Sequence, residues 1–112
     1  MPFIKVQTNQ NVENKEEILK KLSAKMADKL GKPESYVMTG LDSKLTMTFG
    51  GSTEKTAFIE VKSIGLSESM TDDLSKFICD FLEKEVGVKK NRVYIQFVNA
   101  PGSMWGWDGG TF

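Results

Sequence analysis

The residue of this chain best suited to chemistry is Pro2, in the stretch "MPFIKVQT" that opens the sequence. If Met1 is removed, as is usual before a small second residue, Pro2 becomes a secondary amine at the tip of a predicted strand. An unperturbed α-amino group titrates at about pH 7.7–8.0, and burial or a nearby lysine would lower its pKa. Such an amine can take a proton from carbon next to a carbonyl, or attack a carbonyl as a nucleophile. The simpler interpretation is that Pro2 only starts a strand and lacks an N–H to donate.

Other catalytic side chains are scarce in this sequence. It has no histidine and one cysteine, Cys79. These counts exclude imidazole catalysis and a disulfide framework, and they argue against a histidine metal site. Neither GxGxxG nor GxxxxGK[ST] is present, and no serine lies in a nucleophile elbow. We therefore predict no metal and no cofactor.

The length and charge of the chain limit its partners. Its 112 residues predict one domain, 1–112, and its 15 basic and 15 acidic residues give a formal net charge of zero. Nucleic-acid modules usually carry a basic excess or stripe, so no nucleic-acid partner is predicted. No apolar run is long enough to span a membrane, and no signal core follows the start. These features predict a cytoplasmic protein that does not associate with membranes.

Two similar stretches, "FIKVQT" at 3–8 and "FIEVKS" at 58–63, indicate that one unit is used twice. Each is followed by a helical pattern, a glycine and a second strand-like run, so the repeat covers about 2–42 and 57–99. Apolar residues recur at helical spacing in both halves and predict one buried face per helix. These residues are Ile18, Leu19, Leu22, Met26 and Leu30 in the first helix, and Leu74, Phe77, Ile78, Phe81 and Leu82 in the second.

Capping residues mark the ends of the two predicted helices. Asn14 with Glu17 resembles a capping box for the first helix, and Gly31 followed by Pro33 predicts its end. For the second helix, we expect Ser69 with Asp72 at the start and Gly87 at the end. Cys79 falls within that helix and is predicted to be a small buried or half-buried residue.

The duplicated β-α-β unit predicts an α/β (α+β) fold with a four-stranded mixed sheet and two helices on one face. Alternation along the strands directs Ile4 and Val6, with Ile59 and Val61, toward the helices. The opposite face mixes phenylalanine with charge, at Phe3, Lys5, Phe58, Glu60 and Lys62. Such a face is a poor outer surface for a monomer, so we predict a symmetric homo-oligomer that shelters it.

The glycine-rich end of the chain, "APGSMWGWDGGTF", carries both tryptophans and a terminal phenylalanine. These large side chains have two interpretations. Trp105, Trp107 and Phe112 either fasten the tail to the body of the protein or wall an apolar pocket that a neighbouring subunit shares.

Short motifs spread in order over the chain give it a family resemblance. They are the initial "MP", "GKPESY" at 31–36, "FGGSTE" at 49–54, "SIG" at 63–65, "RVYIQF" at 92–97 and "GWDGGTF" at 106–112. This series resembles the macrophage migration inhibitory factor (MIF) family of tautomerases over essentially the whole chain. The resemblance implies a homotrimer in which three sheets form a central barrel, with active sites between subunits and the N-terminal proline as the catalytic base.

The resemblance also implies roles for individual residues. Pro2 matches the catalytic proline, and Lys32 matches a lysine that pairs with a substrate carboxylate. Ser63 and Ile64 match contributors to the pocket. The implied aromatic wall consists of Tyr36, Trp107 and Phe112, while Tyr94 matches a tyrosine that the adjacent subunit supplies.

This chain departs from the family pattern at several positions. Gln96 stands where the best-known members have asparagine, and Trp105 replaces a smaller aliphatic residue, which predicts a narrower mouth. Thr56 and Ile59 occupy the two cysteine positions of the CxxC that some members carry, so no thiol–disulfide activity is expected.

The resemblance therefore implies a keto–enol tautomerase of the phenylpyruvate and dopachrome type, acting on small aromatic 2-keto acids. In that scheme Tyr94 and Gln96 bond to the distal end of the substrate. The alternative is a cytokine-like signalling ligand, released by a non-classical route to act on a cell-surface receptor. A third possibility, an RNA-binding sheet, lacks the basic aromatic pattern that such a sheet needs.

Overall fold

The computed structural model describes residues 1–112, and its strands and helices follow the predicted order. Strand β1 spans Phe3–Thr8, helix α1 Lys15–Leu30, β2 Met38–Asp42, β3 Ala57–Ile64, helix α2 Thr71–Glu85 and β4 Val93–Ala100. Two short strands in the tail, β5 at Gly106–Trp107 and β6 at Gly110–Thr111, form a small hairpin.

The sheet has the strand order β2-β1-β3-β4. The outer pairs β1–β2 and β3–β4 are parallel, and the central pair β1–β3 is antiparallel. Each parallel pair is joined through a helix, as the predicted β-α-β units require. The four-stranded mixed sheet of the predicted fold is therefore confirmed.

The core lies between the two helices and one face of the sheet. In β1 and β3 the burial alternates strictly, so that Ile4, Val6, Ile59 and Val61 face the helices and are at most 2% exposed. The apolar stripes of both helices meet this face, which confirms the predicted burial of Ile18, Leu22, Met26, Leu30, Leu74, Ile78, Phe81 and Leu82. Leu19 and Phe77 pack at its margin, and Cys79 is half-buried as predicted.

The helix ends agree with the sequence only in part. Gly31 ends α1 in the left-handed conformation at φ 65°, as its position predicts. Asn14 precedes α1, but its side chain makes no capping hydrogen bond, so the predicted capping box is wrong. Ser69 does not cap α2, because a 3₁₀ turn at Glu68–Met70 runs directly into that helix. The turn itself is capped by the Ser67 hydroxyl, which accepts a hydrogen bond from the Ser69 N–H.

The other face of the sheet has no helix over it. Phe3, Lys5, Phe58, Glu60 and Lys62 lie on this face, all half-buried in the single chain. Lys5 pairs with Asp42 of β2 at 3.6 Å, so part of the charge on this face is compensated within the sheet. None of the helices combines the length and the apolar character that crossing a membrane would require.

Candidate functional site

Pro2 lies at the edge of a cavity of about 250 Å³. Its carbonyl accepts a hydrogen bond from the Met38 N–H at 2.9 Å, which continues the β1–β2 ladder to the chain start. The side chain of Pro2 is buried, while Met1 is half-buried beside it. The first peptide units are therefore held by the sheet, and the position of the Pro2 nitrogen is fixed by backbone structure.

The tail of the chain closes one side of this cavity. After β4 it turns back, and the Phe112 N–H lies 3.2 Å from both the Gly102 and the Trp105 carbonyl oxygens. A Cβ on Gly102 would lie only 2.9 Å from the Phe112 carbonyl oxygen, so glycine is required for this close approach. The β5–β6 hairpin then turns through Asp108 and Gly109, both at positive φ.

Three aromatic rings form a cluster against the chain start. Trp107 and Phe112 stack with their ring centroids 5.6 Å apart and an interplanar angle of 19°. Tyr36 stands nearly perpendicular to both, with centroids at 6.3 Å from Trp107 and 6.5 Å from Phe112. All three line the cavity together with Trp105 and Pro2. The tail aromatics thus pack on one another and on Tyr36, and they also line the cavity beside Pro2.

The predicted wall residues remain partly open to solvent. Tyr36 and Phe112 are each 41% exposed and Trp107 is 58% exposed, whereas Trp105 is half-buried. Removing an aromatic ring from water is favourable in free energy, and these rings are not yet fully buried. They therefore form a surface that can still bury apolar area against a ligand or a neighbouring chain.

The predicted site residues Lys32, Ser63 and Ile64 do not line this cavity. A Cβ on Gly65 would lie 3.7 Å from the Lys32 Nζ, so the ammonium group rests against the turn that ends β3. Ser63 is buried, and its hydroxyl donates to the Ile64 carbonyl at 3.1 Å. This hydroxyl is therefore satisfied internally, and Lys32 is the charged group that approaches the chain start.

The electrostatics of the chain start favour a neutral amine. The pKa of the N-terminal amine of Met1 is lowered from its ordinary value, first by partial burial and second by the positive charge of Lys32. The same two causes, desolvation and a neighbouring cation, disfavour the protonated form of an amine held at this end of β1.

Tyr94 and Gln96 are not brought to this cavity within one chain. Both are exposed on β4 and face away from the helices. Phe3 pairs with Lys62 and Lys62 with Val98, which places Tyr94 four residues along β4 from the level of Phe3. With about 3.3 Å per residue and two inter-strand steps of about 4.8 Å, the separation is about 16 Å. Tyr94 cannot contact the Pro2 nitrogen of its own chain across that distance.

Several lining residues were not predicted from the sequence. Phe3, Ser35, Val37 and Met38 complete the cavity, because β2 runs beside β1. Met38 is 65% exposed although it lies in a strand, so the apolar surface continues beyond Tyr36. The neighbourhood of Tyr94 was also unexpected, since the Phe49 ring packs on it with centroids 4.7 Å apart.

Other surface depressions lack comparable features. The largest, about 590 Å³, lies between α1 and α2, where Lys29, Lys76, Asp73 and Asp80 give it mixed charge. Its only aromatic side chain is Phe77, and it shares no lining residue with the cavity at Pro2. No group of three or more His, Cys, Asp or Glu side chains is placed to hold a metal ion.

Comparison with known proteins gives a consistent result. The family model of macrophage migration inhibitory factor matches residues 1–112. A macrophage migration inhibitory factor homolog of Trichinella spiralis is 39% identical over 114 residues, covering all of both chains. The crystal structure of a homologue from Prochlorococcus marinus has a TM-score of 0.95 and 43% identity, covering 98% of each chain. A MIF-like protein from Entamoeba histolytica has a TM-score of 0.92 at 30% identity, covering 99% of this chain and 98% of that one.

Proposed function

The chain belongs to the macrophage migration inhibitory factor family, and we propose that it is a keto–enol tautomerase of small aromatic 2-keto acids such as phenylpyruvate. The observation that carries this proposal is the environment of the chain start. Pro2 is fixed at an aromatic-lined cavity, and burial and the Lys32 charge lower the pKa of the Met1 amine beside it. A neutral, rigidly held amine is what proton abstraction next to a carbonyl requires.

The chemistry needs only the amine and the substrate once Met1 has been removed. The lone pair of the Pro2 nitrogen takes a proton from the carbon next to the keto group, and the C–H electrons form the carbon–carbon double bond of the enol. The carbonyl electrons move to oxygen, which receives a proton, so that the overall reaction moves one hydrogen from carbon to oxygen. The reverse sequence returns the keto form.

The surrounding residues supply binding and orientation. Lys32 provides a cation for the carboxylate of the substrate, and a charge-assisted hydrogen bond of this kind is stronger than a neutral one. The rings of Tyr36, Trp107 and Phe112 offer an apolar wall for the aromatic group of the substrate. Trp105 occupies part of the same cavity and limits the size of that group. Ser63 and Ile64 end β3 and lead into the turn at Gly65, against which Lys32 rests.

We further propose that the active unit is a homotrimer in which Tyr94 and Gln96 of one chain complete the site of the next. The separation of about 16 Å between Tyr94 and the level of Phe3 supports this arrangement, because one chain alone cannot unite these residues. The uncovered, partly apolar sheet face also supports it, since closing three such faces together would remove them from water.

The deciding experiment compares protein that retains Met1 with protein from which it has been removed, after mass spectrometry has defined each N-terminus. With Met1 in place the Pro2 nitrogen is an amide and has no usefully basic lone pair. Processed protein should therefore tautomerise phenylpyruvate faster by about 10²–10⁴-fold, the usual contribution of general base catalysis.

Two further samples control this comparison. Processed Pro2→Gly protein should keep part of the rate, because it retains a primary amine at the same position. Both N-terminal forms should sediment identically, since Met1 lies outside the strands. Equal turnover from the two forms would remove Pro2 as the base, and the proposed mechanism with it.

A second function, that of a signalling ligand, is favoured by the names of the relatives, among them the macrophage migration inhibitory factors of Rattus norvegicus and Mus musculus. In that role the protein would leave the cytoplasm by a non-classical route and bind a cell-surface receptor. Saturable binding to cells that persists in the Met1-retaining form would support a receptor role independent of catalysis. Absence of saturable binding by either form would refute it.

A further inference from the structure

Arg92, which immediately precedes β4, is the only arginine of the chain. Its guanidinium group donates four hydrogen bonds to backbone carbonyls of one loop, residues 49–55. The Nε–H bonds to the Lys55 oxygen at 2.9 Å and Nη1 to the Phe49 oxygen at 3.1 Å. Nη2 bonds to the oxygens of Ser52 at 3.2 Å and Glu54 at 3.1 Å. Arg92 thereby fixes the loop between β2 and β3 to the start of β4.

The same guanidinium group also contacts the side chain at the first residue of that loop. The Arg92 Cζ lies 5.2 Å from the centroid of the Phe49 ring, within the range of a cation–π contact. The other neighbour of the Phe49 ring is Tyr94, at 4.7 Å between centroids with an interplanar angle of 41°. Arg92, Phe49 and Tyr94 thus form a continuous row of contacts.

Tyr94 depends on this row for its position. It is 63% exposed and lies on β4, the edge strand of the sheet. Its partner in the adjacent strand is Phe58, but the Tyr94 ring packs on Phe49. A side chain exposed to this degree keeps a defined orientation only if the neighbour it packs on is itself held in place. Arg92 holds Phe49 in two ways, by a hydrogen bond to the Phe49 carbonyl and by a cation–π contact with the Phe49 ring.

We propose that Arg92 is a positioning residue for Tyr94: by fixing the Phe49 loop it sets where the Tyr94 hydroxyl lies. This inference rests on the proposed function, in which that hydroxyl bonds to the distal end of a substrate in the neighbouring site. Lysine could not replace Arg92, because a single ammonium group cannot reach four carbonyls with the planar fork of a guanidinium.

The test uses Arg92→Gln, Arg92→Lys and Phe49→Leu in the processed protein, with Lys89→Ala as the matched control. Lys89 is exposed and lies three residues before Arg92, so its removal takes a cation from the same surface. Turnover is measured with phenylpyruvate and with 4-hydroxyphenylpyruvate, whose distal hydroxyl can meet the Tyr94 hydroxyl. We expect Arg92→Gln, Arg92→Lys and Phe49→Leu to lower kcat/KM about five-fold for the hydroxylated substrate only, the size of one weakened hydrogen bond.

A double-variant cycle separates positioning from a general loss of stability. If Arg92 acts through the Tyr94 hydroxyl, Arg92→Gln should cost nothing further in a Tyr94→Phe background. The proposal would be overturned if the losses in kcat/KM from Arg92→Gln and Tyr94→Phe multiplied in the double variant. It would also be overturned if Arg92→Gln lowered kcat/KM equally for both substrates. If Arg92→Gln does not fold, Phe49→Leu carries the same cycle with the four guanidinium bonds left in place.

A spectroscopic measurement keeps the inference separate from the proposed function. The chain has two tyrosines, Tyr36 and Tyr94, so ring signals of tyrosine-labelled protein provide their own reference. Arg92→Gln and Phe49→Leu should shift or broaden the Tyr94 ring signals and leave those of Tyr36 unchanged. Unchanged Tyr94 signals would overturn the positioning role even if turnover falls. Turnover that does not depend on Pro2 would instead refute the proposed function. The conclusion from the Tyr94 ring signals would then still hold, because it does not use turnover.

Discussion

Replacing Lys32 by alanine should have two effects that can be measured separately. The first is loss of the cation that we propose binds the substrate carboxylate. A hydrogen bond to a charged group contributes about 1.5–3 kcal/mol, so kcat/KM for phenylpyruvate should fall about 10- to 150-fold. The methyl ester of the same substrate carries no such charge, and its kcat/KM should change little at high pH.

The second effect is on the pKa of the terminal amine. Burial first and the Lys32 charge second lower the pKa of the Met1 amine, and we expect the same two causes to act on the Pro2 amine of processed protein. Only the neutral amine is a base, so activity is lost as the pH falls through the lowered pKa. Without Lys32 the pKa rises toward its ordinary value, and the acid limb of the pH–rate profile should move to higher pH for acid and ester alike. The movement should be partial, because desolvation remains.

The assay for Lys32→Ala is kcat/KM against pH for acid and ester, measured on processed protein. Lys20→Ala is the control, since Lys20 is an exposed lysine of α1, whereas Lys32 follows the end of that helix at Gly31. Equal losses for acid and ester at high pH would show that Lys32 does not bind the carboxylate. An acid limb that stays at the same pH would show that its charge does not reach the base.

Three further outcomes are expected. Sedimentation at micromolar concentration should give a trimer, because the uncovered sheet face needs a partner; a monomer would exclude a site completed by Tyr94. The protein should not reduce insulin disulfides, because Cys79 is alone and half-buried and desolvation raises the pKa of its thiol; reductase activity sensitive to alkylation would contradict this. Trp105→Val should raise kcat/KM more for substrates with a larger aromatic group than for phenylpyruvate, since it enlarges the cavity; equal changes would show that Trp105 does not limit substrate size.

The fold was predictable because its periodic signals are strong and agree with one another. Alternation in "FIKVQT" and "FIEVKS" gave the buried faces of β1 and β3, and the stripe from Ile18 to Leu30 gave α1. The helix starts were harder to predict, because a side chain of the right type need not make a bond. Asn14 occupies the cap position without a capping hydrogen bond, and the backbone enters α2 through a 3₁₀ turn that no periodicity indicates.

Residues of the candidate site were less accessible to sequence reasoning. Pro2 could be singled out by chemistry, but the roles of Lys32 and Tyr94 came only from the family motifs. Arg92 was missed, because its four partners are backbone carbonyls, and any residue type supplies a carbonyl. The only sequence feature that sets Arg92 apart is that it is the single arginine among fifteen basic residues. Arginine is preferred over lysine where a planar group with several hydrogen-bond donors is needed.

The register of the central strands determines which residues can meet in one chain. Because β1 and β3 are antiparallel, the start of β1 lies beside the end of β3, at Lys62. Because β4 is parallel to β3, the residues beside that end are Val98 and those after it, whereas Tyr94 lies at the opposite end of the sheet. The tail that follows β4 therefore returns to Pro2 and supplies Trp107 and Phe112, while Tyr94 points away from them. A Tyr94 that acts in this site must therefore come from a second chain. Dilution that separates the chains should abolish the contribution of Tyr94 to turnover while each chain is still folded.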